Sequence, residues 1–303
     1  MKVVVAGGSG ALGRRIVRDL LSRGDDVVVL TRSPRSGSPG RQVVWDGVNV
    51  GEWAAELDGA AVVNLAGEIV DRRPTPANIA LLRRSRVEPT RALAGAAARV
   101  ENAPPVWVQM STLAIYGDGG EEVIAEGHPV ADGPPQMAGV ARPWEEAAAG
   151  ARAGRQVVLR TAVVFDPGTP ALNRLVSLTR WGLGGRVGSG RQWVSWLHID
   201  DLLAIVRLAL DDPALSGVVH ATSPRPVRNA ELMATLRQVL RRPPAPPTPA
   251  PLVRAGSVLL RTDPALGLTG RRCVPRRLLE AGFAFKYPDL PQALRASLPP
   301  PHR

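Results

Sequence analysis

The sequence predicts an α/β fold: a doubly wound parallel sheet covered by helices, followed by a smaller mixed C-terminal lobe. Three observations lead there. Short runs that are apolar throughout alternate with segments of helical periodicity, the pattern of strands buried on both faces. A glycine-rich turn joins the first such run to the first helical segment. The alternation then dissolves after Phe165 into glycine- and proline-rich pieces. With 303 residues, 45% of them hydrophobic, the chain can bury a sizeable core.

Each element follows from its own pattern. Lys2–Ala6 is a β-branched strand run. Residues 11–23 place Leu12, Ile16, Leu20 and Leu21 on one helical face and stop at Gly24. Residues 27–30, 42–45 and 61–65 predict three more strands, and residues 76–100 a long helix. Residues 106–110 predict the fifth strand, 144–153 a helix and 156–160 the sixth strand. Beyond Phe165, "WGLGGRVGSGRQ" leads into an apolar piece at 193–197. A helix at 200–210 and a strand at Gly217–Ala221 return to the sheet, and 228–240 predicts one more helix. "RRPPAPPTPAP" is too proline-rich for a helix or sheet interior and reads as a stiff connector. The tail, 252–298, is expected to be helical and to pack in the smaller lobe. This divides the chain into a first domain of residues 1–165 plus 200–222 and a lobe of 166–199 plus 223–303.

Composition narrows the function classes. The formal net charge is +11, yet only two of the 38 basic residues, Lys2 and Lys286, are lysines. The arginines are scattered and aromatic residues make up 4%, which leaves little for a nucleic-acid stacking platform. No apolar run is long enough to span a membrane. The start, "MKVVVAGGSG", is a strand and turn rather than a secretory segment. A single cysteine, Cys273, excludes an internal disulfide, and a cytoplasmic setting is expected.

In "VVVAGGSGALGRRIV", Gly7, Gly10 and Gly13 are spaced GxxGxxG between a strand and a helix. The first glycine permits the tight turn, the second lets backbone approach a pyrophosphate, and the third lets helix and strand pack closely. Free N–H groups at the helix start then face the phosphates. Ser9, Ala11 and Leu12 complete the cradle, and Leu65, Ala66 and Gly67 after the fourth strand extend the dinucleotide site. At the end of the second strand, where an acid would hold a ribose 2′-hydroxyl, stand Thr31 and Arg32. A guanidinium pairs with a 2′-phosphate, so NADP(H) is the expected cofactor, with Arg14 or Arg35 in support.

With these motifs in place, the chain resembles the short-chain dehydrogenase/reductase superfamily, extended type. More closely, it resembles the atypical bacterial branch of NAD(P)-dependent epimerase/dehydratase family proteins with their own C-terminal domain. "GGSGALGRRIV", "NLAGE", "MSTLAIYGD" and "VVLRTAVVF" match the wider superfamily. "GLGGRVGSGRQWVSWLHIDDL" and "LLEAGFAFKYPDLPQAL" match that branch. The resemblance implies a Rossmann-type NADP-binding domain with a small substrate lobe, and homodimers, which the superfamily often forms.

The superfamily's proton carrier is a Tyr-x-x-x-Lys pair, in extended members "YxxxKxxxE". Matching Glu145 to the final acid puts Met137 at the tyrosine position and Ala141 at the lysine position. The pair is nowhere else: the only tyrosines are Tyr116 and Tyr287, and four residues beyond them stand Gly120 and Pro291. The remaining candidates follow from the resemblance. Thr112 matches the superfamily's catalytic hydroxyl by register, and Ser111 is the more usual hydroxyl in the branch. Tyr116 could donate a proton, though without a lysine its pKa would stay high; Ile115 replaces a second tyrosine. Glu68, in a closed apolar site, could serve as acid or base. Met137 would wall the substrate site, and Arg191 would contact an anionic substrate group. His198 is structural, preceding a helix capped by Asp200 or Asp201, and no metal-ligand spacing occurs. Three functions remain open. One is an NADP-dependent oxidoreductase of a small carbonyl or hydroxyl compound. Another is a redox-neutral epimerase or dehydratase of a sugar nucleotide or related metabolite. The last is a non-catalytic NADP-binding sensor or scaffold.

Overall fold

The computed structural model describes residues 1–298; residues 299–303, the end of the expected lobe, lie outside the described residues. Seven strands form the main sheet. They are β1 (Lys2–Ala6), β2 (Asp26–Thr31), β3 (Arg41–Val44), β4 (Ala61–Asn64), β5 (Trp107–Thr112), β6 (Gln156–Thr161) and β7 (Gly217–Ala221). All neighbours are parallel, in the order β3-β2-β1-β4-β5-β6-β7. This is the doubly wound Rossmann arrangement, extended by one strand. The order reverses between β1 and β4, which opens a crevice at their carboxyl ends.

The strand interiors are mainly apolar because both faces are covered. Along β1, Val3 and Val5 join one core cluster with Ile16, Leu20, Leu202 and Ile205; Val4 and Ala6 join another with Leu30, Leu93 and Trp107. The first layer is roofed by α1 (Ala11–Ser22) and α5 (Ile199–Asp211), the second by α2 (Pro76–Ala97). Burying one such valine or leucine side chain contributes about 1.5–3 kcal/mol. Even one-residue slips of register would therefore be strongly disfavoured.

Between β5 and β6 runs α3 (Ala138–Ala149), which starts earlier and ends earlier than the predicted helix at 144–153. Pro143 lies inside it. A proline in the second turn removes one donor without ending the helix, and Gly150 closes it. Trp144 is therefore a mid-helix core residue rather than the helix start.

A third apolar cluster builds the second lobe, from Phe165, Leu172, Trp196, Leu232, Leu236, Leu290 and Leu294. It is contributed by α4 (Pro170–Arg180), α6 (Asn229–Val239), the terminal helix Leu290–Ser297, and a parallel pair of short strands, Val163–Phe165 with Trp196–His198. The expected connector at 241–251 is non-helical only up to Pro249; its last two residues, Ala250 and Pro251, begin a helix. Gly185 lets it pass, since a Cβ there would lie 1.8 Å from Pro246 O. The tail departs from the all-helical expectation. α7 (Ala250–Leu259) and two shorter helices are interrupted by a strand, Arg272–Cys273, that pairs in parallel with Val123–Ile124. Leu278 then packs into the core layer of the main sheet. α5 also differs in its start: His198 Nδ1 itself accepts from Asp200 N at 3.1 Å, so the histidine is the cap. Asp201 instead accepts from the backbone of Lys286 and Tyr287 and ties down the tail.

Candidate active site

The crevice at the ends of β1 and β4 begins with the glycine turn. Gly7 has φ +83°, and a Cβ there would lie 2.7 Å from the Leu65 carbonyl group. A Cβ on Gly13 would lie 2.2 Å from Gly7 O, so the turn and the first helical turn can approach only without side chains. α1 starts at Ala11 with no side-chain cap on Gly10. Its first N–H groups, at Ala11, Leu12 and Gly13, are therefore left for an anion, while Ser9 and Gly10 are exposed. These residues fit a dinucleotide pyrophosphate. Leu65, Ala66 and Gly67 close the other side; a Cβ on Gly67 would press on the Arg86 guanidinium at 3.0 Å. At the end of β2, Thr31 is buried and the Arg32 side chain is 73% exposed.

Glu68 does not sit in the closed apolar setting that its expected acid–base role required. Its carboxylate lies 3.0 Å from Arg72 and 3.7 Å from Arg32. It joins the loops after β2 and β4 as an ion pair on the rim.

The hydroxyls at the end of β5 lie in different surroundings. Ser111 donates to Glu145 Oε1 at 2.5 Å, and Glu145 receives Arg160 through Nε and Nη2 at 2.9 and 2.7 Å. Arg160 also donates through Nη1 to Tyr116 Oη at 2.6 Å. Tyr116 Oη lies 2.7 Å from His220 Nε2, and His220 Nδ1 lies 3.0 Å from Val274 O. A carbonyl only accepts, so Nδ1 carries the imidazole proton, Nε2 accepts, and the phenol must donate to it. Burial pushes the Tyr116 phenol up to about 12 and holds His220 down at about 4. Tyr116 is thus a fixed structural donor. Thr112 differs: its Oγ1 accepts from Ala114 N at 3.1 Å, starting the turn Leu113–Tyr116, and its proton reaches no acceptor among the described residues.

Met137 and Ala141 are both buried, and Ala141 packs with Leu113, Ile115, Tyr116 and Cys273. An apolar wall stands where the tyrosine and lysine were sought. Met137 Sδ is 4.0 Å from Arg271 Nη2. The Arg191 side chain is 80% exposed, 3.9 Å from Glu121, on the rim of the second lobe where Arg228 stacks on Trp193. Sequence reasoning singled out Ser111 and Glu145 but gave no role to Arg160, which joins them although it lies within the quoted segment VVLRTAVVF. His220 and Arg271 lie in none of the quoted segments, and only the paired strand ends and the returning tail bring them to the site.

A glycine cradle at the sheet's switch point, a strand-end hydroxyl and a facing second lobe define a dinucleotide-binding enzyme fold of the extended short-chain dehydrogenase/reductase class. The comparisons agree. Residues 3–220 match the NAD dependent epimerase/dehydratase family, and residues 248–297 match a domain of unknown function, DUF1731. The chain is 34% identical to the chloroplastic SDR39U1 homolog of Arabidopsis thaliana, over 98% of this chain and 86% of the relative. It is 33% identical to human epimerase family protein SDR39U1, over 97% and 99%. The crystal structure of the human protein (isoform 2) with NADPH superposes with a TM-score of 0.86, covering 98% of this chain and 99% of that one. This chain belongs to the NAD-dependent epimerase/dehydratase family. Among the described residues no helix is long and apolar enough to cross a membrane.

Proposed function

We propose that the protein is an NADPH-dependent reductase of a small carbonyl compound, running in reverse as a dehydrogenase. The glycine cradle, the exposed Arg32 and the NADPH in the human relative's structure support the cofactor. When bound, that cofactor supplies hydride transfer. The chain's own residues do the rest. Thr112 is the hydroxyl with an uncommitted proton, so it holds the substrate's carbonyl oxygen and stabilises the charge that develops there. Water returns the proton, because the protons of Ser111 and Tyr116 are directed at Glu145 and His220.

The observation that carries this reading over dehydration, or over epimerisation by loss of a carbon-bound proton, is the state of the bases. Removing a proton beside a carbonyl needs a free one. Glu145 is held by Arg160 and Ser111, His220 by Tyr116 and Val274, and Glu68 by Arg72. The retained second lobe favours catalysis over a bare sensor. We further propose a cytoplasmic setting, a small-molecule substrate with an anionic group as its partner, no nucleic-acid or membrane partner, and a homodimer.

The test screens carbonyl compounds for stoichiometric NADPH consumption by the full chain. Thr112→Val should lower kcat by about a hundredfold while NADPH affinity holds. Turnover without net change at the nicotinamide absorbance band would replace the reductase with an epimerase, and full activity of the Thr112 variant would remove its assigned role.

A further inference from the structure

One guanidinium beside the site lacks the partners that another there has. Arg160 reaches three oxygen acceptors, all within 2.9 Å and two of them on the Glu145 carboxylate. Arg271 reaches Gly117 O from Nε at 2.8 Å, and its Nη2 makes only long contacts, to Thr269 Oγ1 at 3.4 Å and Met137 Sδ at 4.0 Å. Its Nη1 reaches no acceptor, and no carboxylate lies within ion-pair distance, among the described residues. Burial lowers its pKa, as expected for a cation poor in compensation.

The position is built rather than incidental. The Arg271 backbone donates to Trp193 O at 3.1 Å and accepts from Ser195 Oγ at 3.0 Å. The residue before it, Gly270, donates to Asp118 Oδ1 at 3.0 Å and accepts from Gly119 N at 2.8 Å. A Cβ on Gly270 would lie 2.4 Å from Trp193 O, so this segment can pass Trp193 only as glycine. The fixed segment brings the guanidinium to Met137, the position where the phenol was sought. Gly117, its anchor, directly follows the turn that begins at Thr112.

We propose that Arg271 anchors an anionic oxygen group, a carboxylate or a phosphate, on the carbonyl substrate whose reacting oxygen Thr112 holds. The inference rests on the reductase reading and adds a substrate class to it: small oxo compounds bearing such a group. A guanidinium with an open edge meets such an anion through charge-assisted hydrogen bonds. Arg271 comes from the C-terminal segment, so that segment supplies recognition while the sheet supplies the cradle.

The test is calorimetric titration of the full chain with oxalate and with inorganic phosphate, each without and with NADPH. Wild type should bind at least one probe saturably. Arg271→Met should weaken that binding roughly 10- to 100-fold, Arg271→Lys less, with NADPH affinity within about twofold of wild type. Arg83→Met, an exposed arginine on α2, controls for general charge and should bind as wild type. Should the methionine variant unfold, Arg271→Lys and Arg271→Gln carry the comparison. Binding of oxalate alone identifies a carboxylate, of phosphate alone a phosphate. No binding by wild type, equal binding by the Arg271 variants, or equal loss in Arg83→Met overturns the proposal. Absence of NADPH binding would instead overturn the reductase reading, because the cofactor-free titration still reports on Arg271.

Discussion

Tyr116 and Thr112 are separated by one short turn and differ in what their protons do. The phenol is buried, accepts from Arg160 and donates to His220, so releasing its proton would leave the neutral imidazole's buried Nε2 without its donor. A high phenol pKa was expected from the missing lysine alone; the larger cause is burial. Tyr116→Phe should therefore act on stability. It leaves Arg160 Nη1 and His220 Nε2 without their partner, at a cost of about 1–3 kcal/mol. On whichever carbonyl compound oxidises NADPH, kcat should stay within about threefold of wild type. Denaturant midpoints and turnover measured on one preparation separate the two roles. Wild-type stability with about a hundredfold lower kcat would make the phenol the catalytic acid after all.

At the scale of elements, the loops after β2 and β4 face each other across the crevice, joined by Arg32 and Glu68 at 3.7 Å. An ion pair this exposed contributes little to stability. Arg32 is therefore cheap to redirect towards a 2′-phosphate. Arg32→Asp should weaken NADPH binding at least about tenfold and leave NADH binding much less changed, read by fluorescence titration of both nucleotides. Equal losses for the two would mean that Arg32 does not face the 2′-phosphate. The elements that carry this cradle were legible because their signals are local. Largely apolar runs mark β1, β4 and β5, and glycine spacing marks the turn. α3 was misplaced because Pro143 looks like a boundary when it is an interior residue. The pair Val163–Phe165 and Trp196–His198 was not legible, since three-residue strands exist only through their partner. Arg272–Cys273 was lost inside a tail that otherwise reads as helix. The unread tail strand brings Arg271 to Met137, whereas His220 sits on a strand that was read and reaches Tyr116 only through the pairing of β5, β6 and β7.

At the scale of the whole molecule, one imidazole joins three distant parts of the chain. His220 on β7 bonds Tyr116 after β5 and the Val274 carbonyl of the returning tail, and its backbone N–H donates to Glu126 at 3.3 Å. It is fully buried and neutral, held at about 4 against an ordinary value of 6.5. In the unfolded chain the same group takes up a proton near pH 6.5. Between about pH 6.5 and about pH 4 the unfolded state therefore binds more protons, and stability must fall as the pH falls. The loss amounts to roughly 3 kcal/mol, zero above the window and complete below it. His198, also lowered by burial, adds in the same direction. A His220→Gln variant should start less stable at neutral pH, because amide geometry does not reproduce both bonds. Its stability should then fall less steeply than wild type across the window. Thermal unfolding from pH 7 to pH 4, wild type beside variant, gives the two slopes. Parallel curves would mean that the imidazole titrates alike in both states, and that the tail is not fastened to the sheet through a neutral His220.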